Sequence, residues 1–186
     1  MKRIGLILSL MLAACAAPPA PIGEQPFFAP GRALSLPAPG DLGRDVDWLQ
    51  HLVIRRGAET FAFDVRLSVT AEKLHLLGLD GLGRRGIELT WERDGSITAT
   101  RADWLPPEIQ PGPMLADIIL LYWPRDVLRR SLQAAGASLR DAGRSREVVA
   151  DGRILLDISY GADGRVHYRN SAWGYTIDLR SAEVAP

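Results

Sequence analysis

Cysteine occurs once, at Cys15, so the chain can form neither an intrachain disulfide nor a multi-cysteine zinc site. Lysine is almost missing: among 22 basic residues only Lys2 and Lys73 are lysines, which leaves little scope for Schiff-base or phosphate-loop lysine chemistry. The 3 histidines, His51, His75 and His167, are scattered along the chain, with no His-Glu-x-x-His zinc motif and no Gly-x-Ser-x-Gly elbow. An excess of either charge is lacking too, since 22 basic residues face 22 acidic ones. Without Lys2 and Arg3 the balance is 20 against 22, so there is no electrostatic footprint for nucleic acid and no steering toward anionic lipid. Glycine-rich Asp80-Gly81-Leu82-Gly83-Arg84-Arg85-Gly86 fails as a nucleotide loop because no βαβ unit follows it.

The apolar stretch inside the chain, Met114 to Trp123, is interrupted only by Asp117. Leu115, Ile118, Ile119 and Tyr122 recur at helical spacing, and Leu120 and Leu121 fill the remaining faces. A helix that is apolar all round belongs inside a protein or a membrane, and about ten residues cover only ~15 Å, too short for a bilayer. The rest of the chain must therefore wrap it. Pro124 ends it, and Val127, Leu128, Leu132 and Ala135 predict a second, one-sided helix stopping at Gly136.

Nearly everything else reads as strand. Thr60 to Thr70 alternates most clearly, with Phe61, Phe63, Val65, Leu67 and Val69 on one face. Val46–Arg56, Glu72–Leu79, Ile87–Glu92, Ser96–Arg101, Gly152–Tyr160, Arg165–Asn170 and Gly174–Arg180 follow, with Asp-Gly turns at Asp94-Gly95 and Asp163-Gly164. The expectation is a mainly β (α+β) domain: a curved antiparallel sheet of about eight strands, covered by the inserted helical pair. One domain of about 150 residues suits the length.

The amino terminus has its own pattern. Met1-Lys2-Arg3 precedes the short apolar run Ile4–Ala14, the layout of a secretory signal. Leu12-Ala13-Ala14-Cys15 resembles the lipobox of bacterial lipoproteins. That resemblance implies cleavage after residue 14 and a membrane anchor of acyl groups on Cys15, which a thiolate is nucleophilic enough to accept. Ala16 is not the aspartate that holds lipoproteins of enterobacterial type in the inner membrane, which implies the periplasmic face of the outer membrane. Residues 15–40, rich in proline and alanine, read as the lipidated cysteine and a semi-rigid tether, with Phe27 and Phe28 as exceptions able to dock on the domain or the bilayer. The folded domain is expected over 41–186.

The segments Leu76-Leu77-Gly78-Leu79, Leu82-Gly83, Pro113-Met114-Leu115-Ala116-Asp117, Tyr122-Trp123-Pro124 and Trp173-Gly174-Tyr175 occur in that order, with Asn170 just before the last. Together they resemble a family of small bacterial lipoproteins of unknown function, similar in fold to the LolA/LolB lipoprotein carriers and receptor. The resemblance spans roughly Asp41 to Leu179. It implies an unclosed half-barrel with an apolar concavity that shelters acyl chains; the lack of catalytic motifs adds the expectation of no cofactor and a non-enzymatic role. It also implies a lipid or lipoprotein cargo, among them polyene or fatty-acid-derived lipids, and a periplasmic carrier protein as a partner of an otherwise monomeric chain.

Three site candidates follow, each with a plainer reading beside it. Phe63, Val65, Leu67, Leu89, Trp91, Ile118, Tyr122, Leu156 and Ile177 are the candidate acyl-chain cleft; the alternative is that the helix fills the sheet and leaves a dry core. Leu82, with Arg84 and Arg85, matches by position a leucine that protrudes from the similar receptor and disturbs lipid; the alternative is an ordinary long hairpin turn. Asp117, the one charge in an apolar helix, is a candidate for a headgroup or amine, or else pairs with an arginine or free backbone N–H groups. Two other function classes stand beside the carrier: an assembly lipoprotein that binds a protein partner, and a periplasmic hydrolase.

Overall fold

The structure, a computed structural model, describes residues 25–184, so the signal-like segment 1–14 and Cys15 lie outside the described residues. Ten strands form one antiparallel sheet. From the middle outward, β3 (Val46–Arg56), β4 (Glu59–Val69), β5 (Lys73–Asp80), β6 (Arg85–Glu92) and β7 (Ile97–Arg101) follow as successive hairpins. After the helices, β8 (Ser138–Asp141), β9 (Ser145–Ala150), β10 (Arg153–Tyr160), β11 (Arg165–Asn170) and β12 (Tyr175–Glu183) return from the far edge. β12 then pairs with β3 and joins the halves. β7 and β8 remain as free edges, so the sheet curves without closing. The helices α1 (Pro111–Tyr122) and α2 (Arg125–Gln133) bridge those edges in sequence and share one apolar core with the inward faces of the strands. The expected half-barrel around a helical pair is what the chain forms.

The reading of the strands missed two. β8 and β9 carry Arg140, Asp141, Arg146 and Glu147 and show no apolar alternation, because these short strands lie against α2 and the end of α1 rather than over a wide core face. Ile154 breaks the alternation of β10. The register of β9 and β10 shifts between Ile154 and Leu156, and Ile154 turns out to solvent while Leu156 and Ile158 stay buried.

Helix α1 is buried on all sides, as its composition requires. Pro111 and Pro113 fall in its first turn, where a missing N–H costs nothing. Pro124 prevents continuation, and the freed carbonyls at its end are taken by two side chains from the sheet. The Arg146 guanidinium donates to the carbonyls of Leu120 (2.6 Å) and Trp123 (3.2 Å), and the Tyr160 hydroxyl donates to that of Leu121 (2.7 Å). A cation at this end also meets the negative pole of the helix. Asp141 pairs with Arg146 at 3.3 Å and holds it in place.

The outer side of α1 is covered by the segment read as the second half of the tether. β1 (Phe27–Ala29) and β2 (Arg32–Ala33) form a small hairpin over the helix, and Phe28 and Leu34 are buried. Asn170, fully buried, donates to the Phe28 carbonyl at 3.0 Å, and the Trp123 indole donates to the Ala38 carbonyl at 3.2 Å. The folded unit thus begins before Asp41. Proline and alanine content hid this because the strap packs through only a few apolar residues.

Candidate functional site

The inward face of the sheet is not completely filled by α1. A cavity of about 340 Å³ runs between them, within the ~300–1,000 Å³ range of small-molecule sites. Its walls are Leu52 and Ile54 of β3, Phe61, Phe63 and Val65 of β4, Leu76 and Gly78 of β5, Ile87 of β6, Ile177 and Leu179 of β12, and Met114, Ile118 and Leu121 of α1. Strand alternation places the first group, and helical spacing the second. Gly78 contributes by lacking a side chain: a Cβ there would stand 2.9 Å from Ile87 Cγ2.

One end of the cavity is polar. Gln50, buried, donates to the Tyr122 hydroxyl (2.6 Å) and to Ser181 Oγ (2.8 Å), and Tyr122 packs on Trp48 with ring centroids 4.8 Å apart. The other end opens among Arg56, Glu59, Glu108, Gln110 and Trp173, where Arg56 Nη1 faces Glu108 Oε1 at 3.8 Å. Antiparallel register puts the β3–β4 turn, the β5–β6 turn, the loop after β7 and the β11–β12 turn at this same end. Arg101 fixes the loop after β7 by donating to the carbonyls of Ile109 (3.0 Å), Pro106 (2.7 Å) and Leu105.

Beside the mouth stands the β5–β6 turn. The Asp80 carboxylate accepts the backbone N–H groups of Leu82 and Arg84, each at 2.9 Å, and pairs with the Arg84 side chain. The turn is thereby shaped from within, and Leu82 projects with 82% of its surface exposed. Trp104, 41% exposed, lies next to it under the Arg84 guanidinium, 4.7 Å from the ring centre. Arg85 pairs with Glu88 at 2.8 Å on the outer face.

Asp117 lies in the cavity wall and is buried. Its two oxygens accept the hydroxyls of Tyr168 and Tyr175. The expected arginine or backbone N–H partner is replaced by these tyrosines, and the helix start lies more than a turn and a half away. Burial raises the carboxyl to about 7, against the two tyrosine hydrogen bonds, which lower it. Burial likewise holds both tyrosines well above their usual range, with the Asp117 charge adding to it. Asn170 extends the network by donating to the Tyr175 hydroxyl at 3.3 Å and accepting the Trp173 N–H at 3.0 Å.

Of the nine cleft residues read from the sequence, Phe63, Val65, Ile118, Tyr122 and Ile177 line the cavity. Leu67, Leu89, Trp91 and Leu156 do not: they are almost fully buried in the core away from it. Alternation gives the inward face but not how far along it the helix lies tight against the sheet. The loop after β7 escaped notice because Leu105, Pro106, Pro107 and Ile109 carry no period. The three histidines sit on the outer face, each beside an acid: His51 with Asp64, His75 with Glu88 and His167 with Asp178. Among the described residues no group of three or more His, Cys, Asp or Glu side chains is arranged to hold a metal, and no helix is long and apolar enough to cross a membrane.

No curated protein shows significant similarity to the chain. Among solved structures it is similar to a domain from Vibrio parahaemolyticus described as an outer membrane lipoprotein-sorting protein, at 9% identity and a TM-score of 0.41, over 74% of this chain and 83% of that one. A DUF1329 family protein from Desulfovibrio piger is similar at 6% identity and a TM-score of 0.34, over 77% of this chain and 87% of that one. Likeness this distant transfers no property. The family model for DUF3261, described as a protein of unknown function, matches residues 47–183, and the chain belongs to that family.

Proposed function

We propose that this chain is a lipid-anchored carrier on the periplasmic face of the outer membrane that binds acyl-chain-bearing molecules, non-covalently, in the cavity between α1 and the sheet. The observation that supports this most is the unfilled apolar space itself. Protein interiors generally pack to high density, so an apolar space of about 340 Å³ within the fold stands apart from ordinary core. The space is walled by aliphatic and aromatic groups and opens at one end, which suits a chain that enters and leaves. Leu82 and Trp104 beside the mouth supply the apolar and amphipathic groups that settle at a lipid surface, and Arg84 can meet phosphates there. The anchor on Cys15 would keep that end close to the bilayer, since the ten residues from Cys15 to Gln25 reach at most about 35 Å.

The test is extraction of the full chain carrying Cys15→Ser, purified from the periplasm without detergent, followed by mass spectrometry of the released lipids. Co-purifying acyl species in near-stoichiometric amount are expected. A lipid-free protein that also fails to bind added fatty acid contradicts the proposal and favours a protein-binding assembly role.

A further inference from the structure

We infer that the cavity admits one acyl chain at a time, so that the cargo is a single-chain amphiphile inserted tail first and not a molecule that must bury two or three chains together. This rests on the acyl-binding reading above and narrows it.

Volume makes the first case. The cavity of about 340 Å³ lies near the lower bound of the ~300–1,000 Å³ of small-molecule sites, which suits one slender chain rather than several. A diacyl lipid needs twice that space, and the triacylated terminus of a lipoprotein three times.

The walls give little room to expand. At the polar end the buried Gln50 amide is bonded to Tyr122 and Ser181 beside Trp48, so lengthening the cavity there would strand that amide. One long side is the hydrogen-bonded run β3–β6, already tight enough at Gly78 that a single methyl would collide with Ile87. At the mouth the loop after β7 is tied to Arg101 through several carbonyls, which resists widening on that side. The opposite side, α1, is held at its end by Arg146 and Tyr160 and from outside by the Phe28 strap.

Direction of insertion follows from where the charges lie. Arg56, Glu59 and Glu108 are all at the mouth and partly or fully exposed, whereas the interior polar groups Gln50, Tyr122 and Asp117 are already hydrogen-bonded to protein. A charged head carried inward would lose its water without gaining a partner. Left at the rim, it keeps water and meets Arg56 or the two glutamates.

Two probes with the same acyl group separate one chain from two: lauroyl lysophosphatidylcholine and dilauroyl phosphatidylcholine. Each is titrated into the full chain carrying Cys15→Ser and followed by native mass spectrometry, with displacement of a fluorescent fatty acid as a second readout. The expected result is one lysolipid per protein and binding of the diacyl lipid weaker by about tenfold or more. Met114→Trp, which fills the mouth-side half of the cavity, should abolish lysolipid binding while the unfolding midpoint stays near that of the parent. Equal affinity for the diacyl lipid, or two lysolipids per protein, overturns the single-chain inference and leaves acyl binding standing. Binding of neither probe overturns both.

Discussion

Replacing Asp117 by Asn keeps the shape of the side chain and removes its titration, which turns a buried carboxyl into a measurable slope. The folded protein holds this carboxyl at about 7, against 3.8 for the ordinary group, because burial disfavours the charged form more than Tyr168 and Tyr175 favour it. A raised carboxyl stabilises the fold fully only below the unfolded value. That contribution then falls as pH rises through the folded value. The difference of roughly three units corresponds to about 4 kcal/mol, lost between about pH 4 and pH 7, a large share of the 5–15 kcal/mol of an ordinary domain. Asp47, Glu88 and Asp178 run the other way, lowered chiefly by hydrogen bonds to Arg66, His75 and His167, and lose their contribution as pH falls through the acid range. Those groups are common to both proteins, so subtracting the two stability curves isolates Asp117. Urea unfolding of the parent and Asp117→Asn, run from pH 4.5 to 8, should show the variant gaining steadily on the parent as pH rises, by several kcal/mol over the range. Parallel curves would refute the reasoning, since they would mean that the carboxyl is solvated or already ionised throughout.

Three further outcomes follow from named contacts. Arg146→Ala should lower stability by about 2–4 kcal/mol in urea unfolding, because it strands the carbonyls at the end of α1 and leaves Asp141 with Arg125 as its remaining ion-pair partner, and a midpoint within error of the parent would contradict the capping role. Leu82→Glu should leave stability within about 0.5 kcal/mol, as the side chain touches almost nothing, yet weaken flotation with phospholipid vesicles; unchanged flotation would remove Leu82 from the membrane contact. Gly78→Ala should cost about 1–3 kcal/mol in the same unfolding assay, since its Cβ meets Ile87 within 2.9 Å, and should also weaken fatty-acid binding; a neutral effect on both would show that β5 and β6 separate easily.

Much of the fold could be read from residue order because its signals are local. The all-round apolar helix, its proline stop and the alternation of β4 are properties of short windows, and each survives folding unchanged. The cavity is a different kind of fact. Leu67 and Phe63 are equivalent in the pattern of β4, yet one sits in solid core and the other faces open space, because that depends on where α1 crosses the strand. Asp117 stood out as a lone charge, but its tyrosine partners come from β11 and β12, about fifty residues away in sequence. Phe28 was visible as an apolar exception in a proline-rich stretch; what fixes it, the Asn170 side chain, is a long-range contact that no local period encodes. Asn170, Gly174 and Tyr175 belong to one motif for a structural reason: Gly174 has a φ of +72°, and Asn170 ties the turn both to itself and to the strap.

The most direct measurement places a bound chain in the space. With the isoleucine and leucine methyls labelled for NMR, a fatty acid carrying a nitroxide on its tail is added to the full chain with Cys15→Ser. Binding between α1 and the sheet should broaden Ile87, Ile118 and Ile177 strongly and leave Leu128 and Ile158, packed away from the cavity, sharp. Broadening confined to exposed Leu49, Leu82 and Ile154, with the cavity methyls untouched, would place the lipid on the surface and contradict the account.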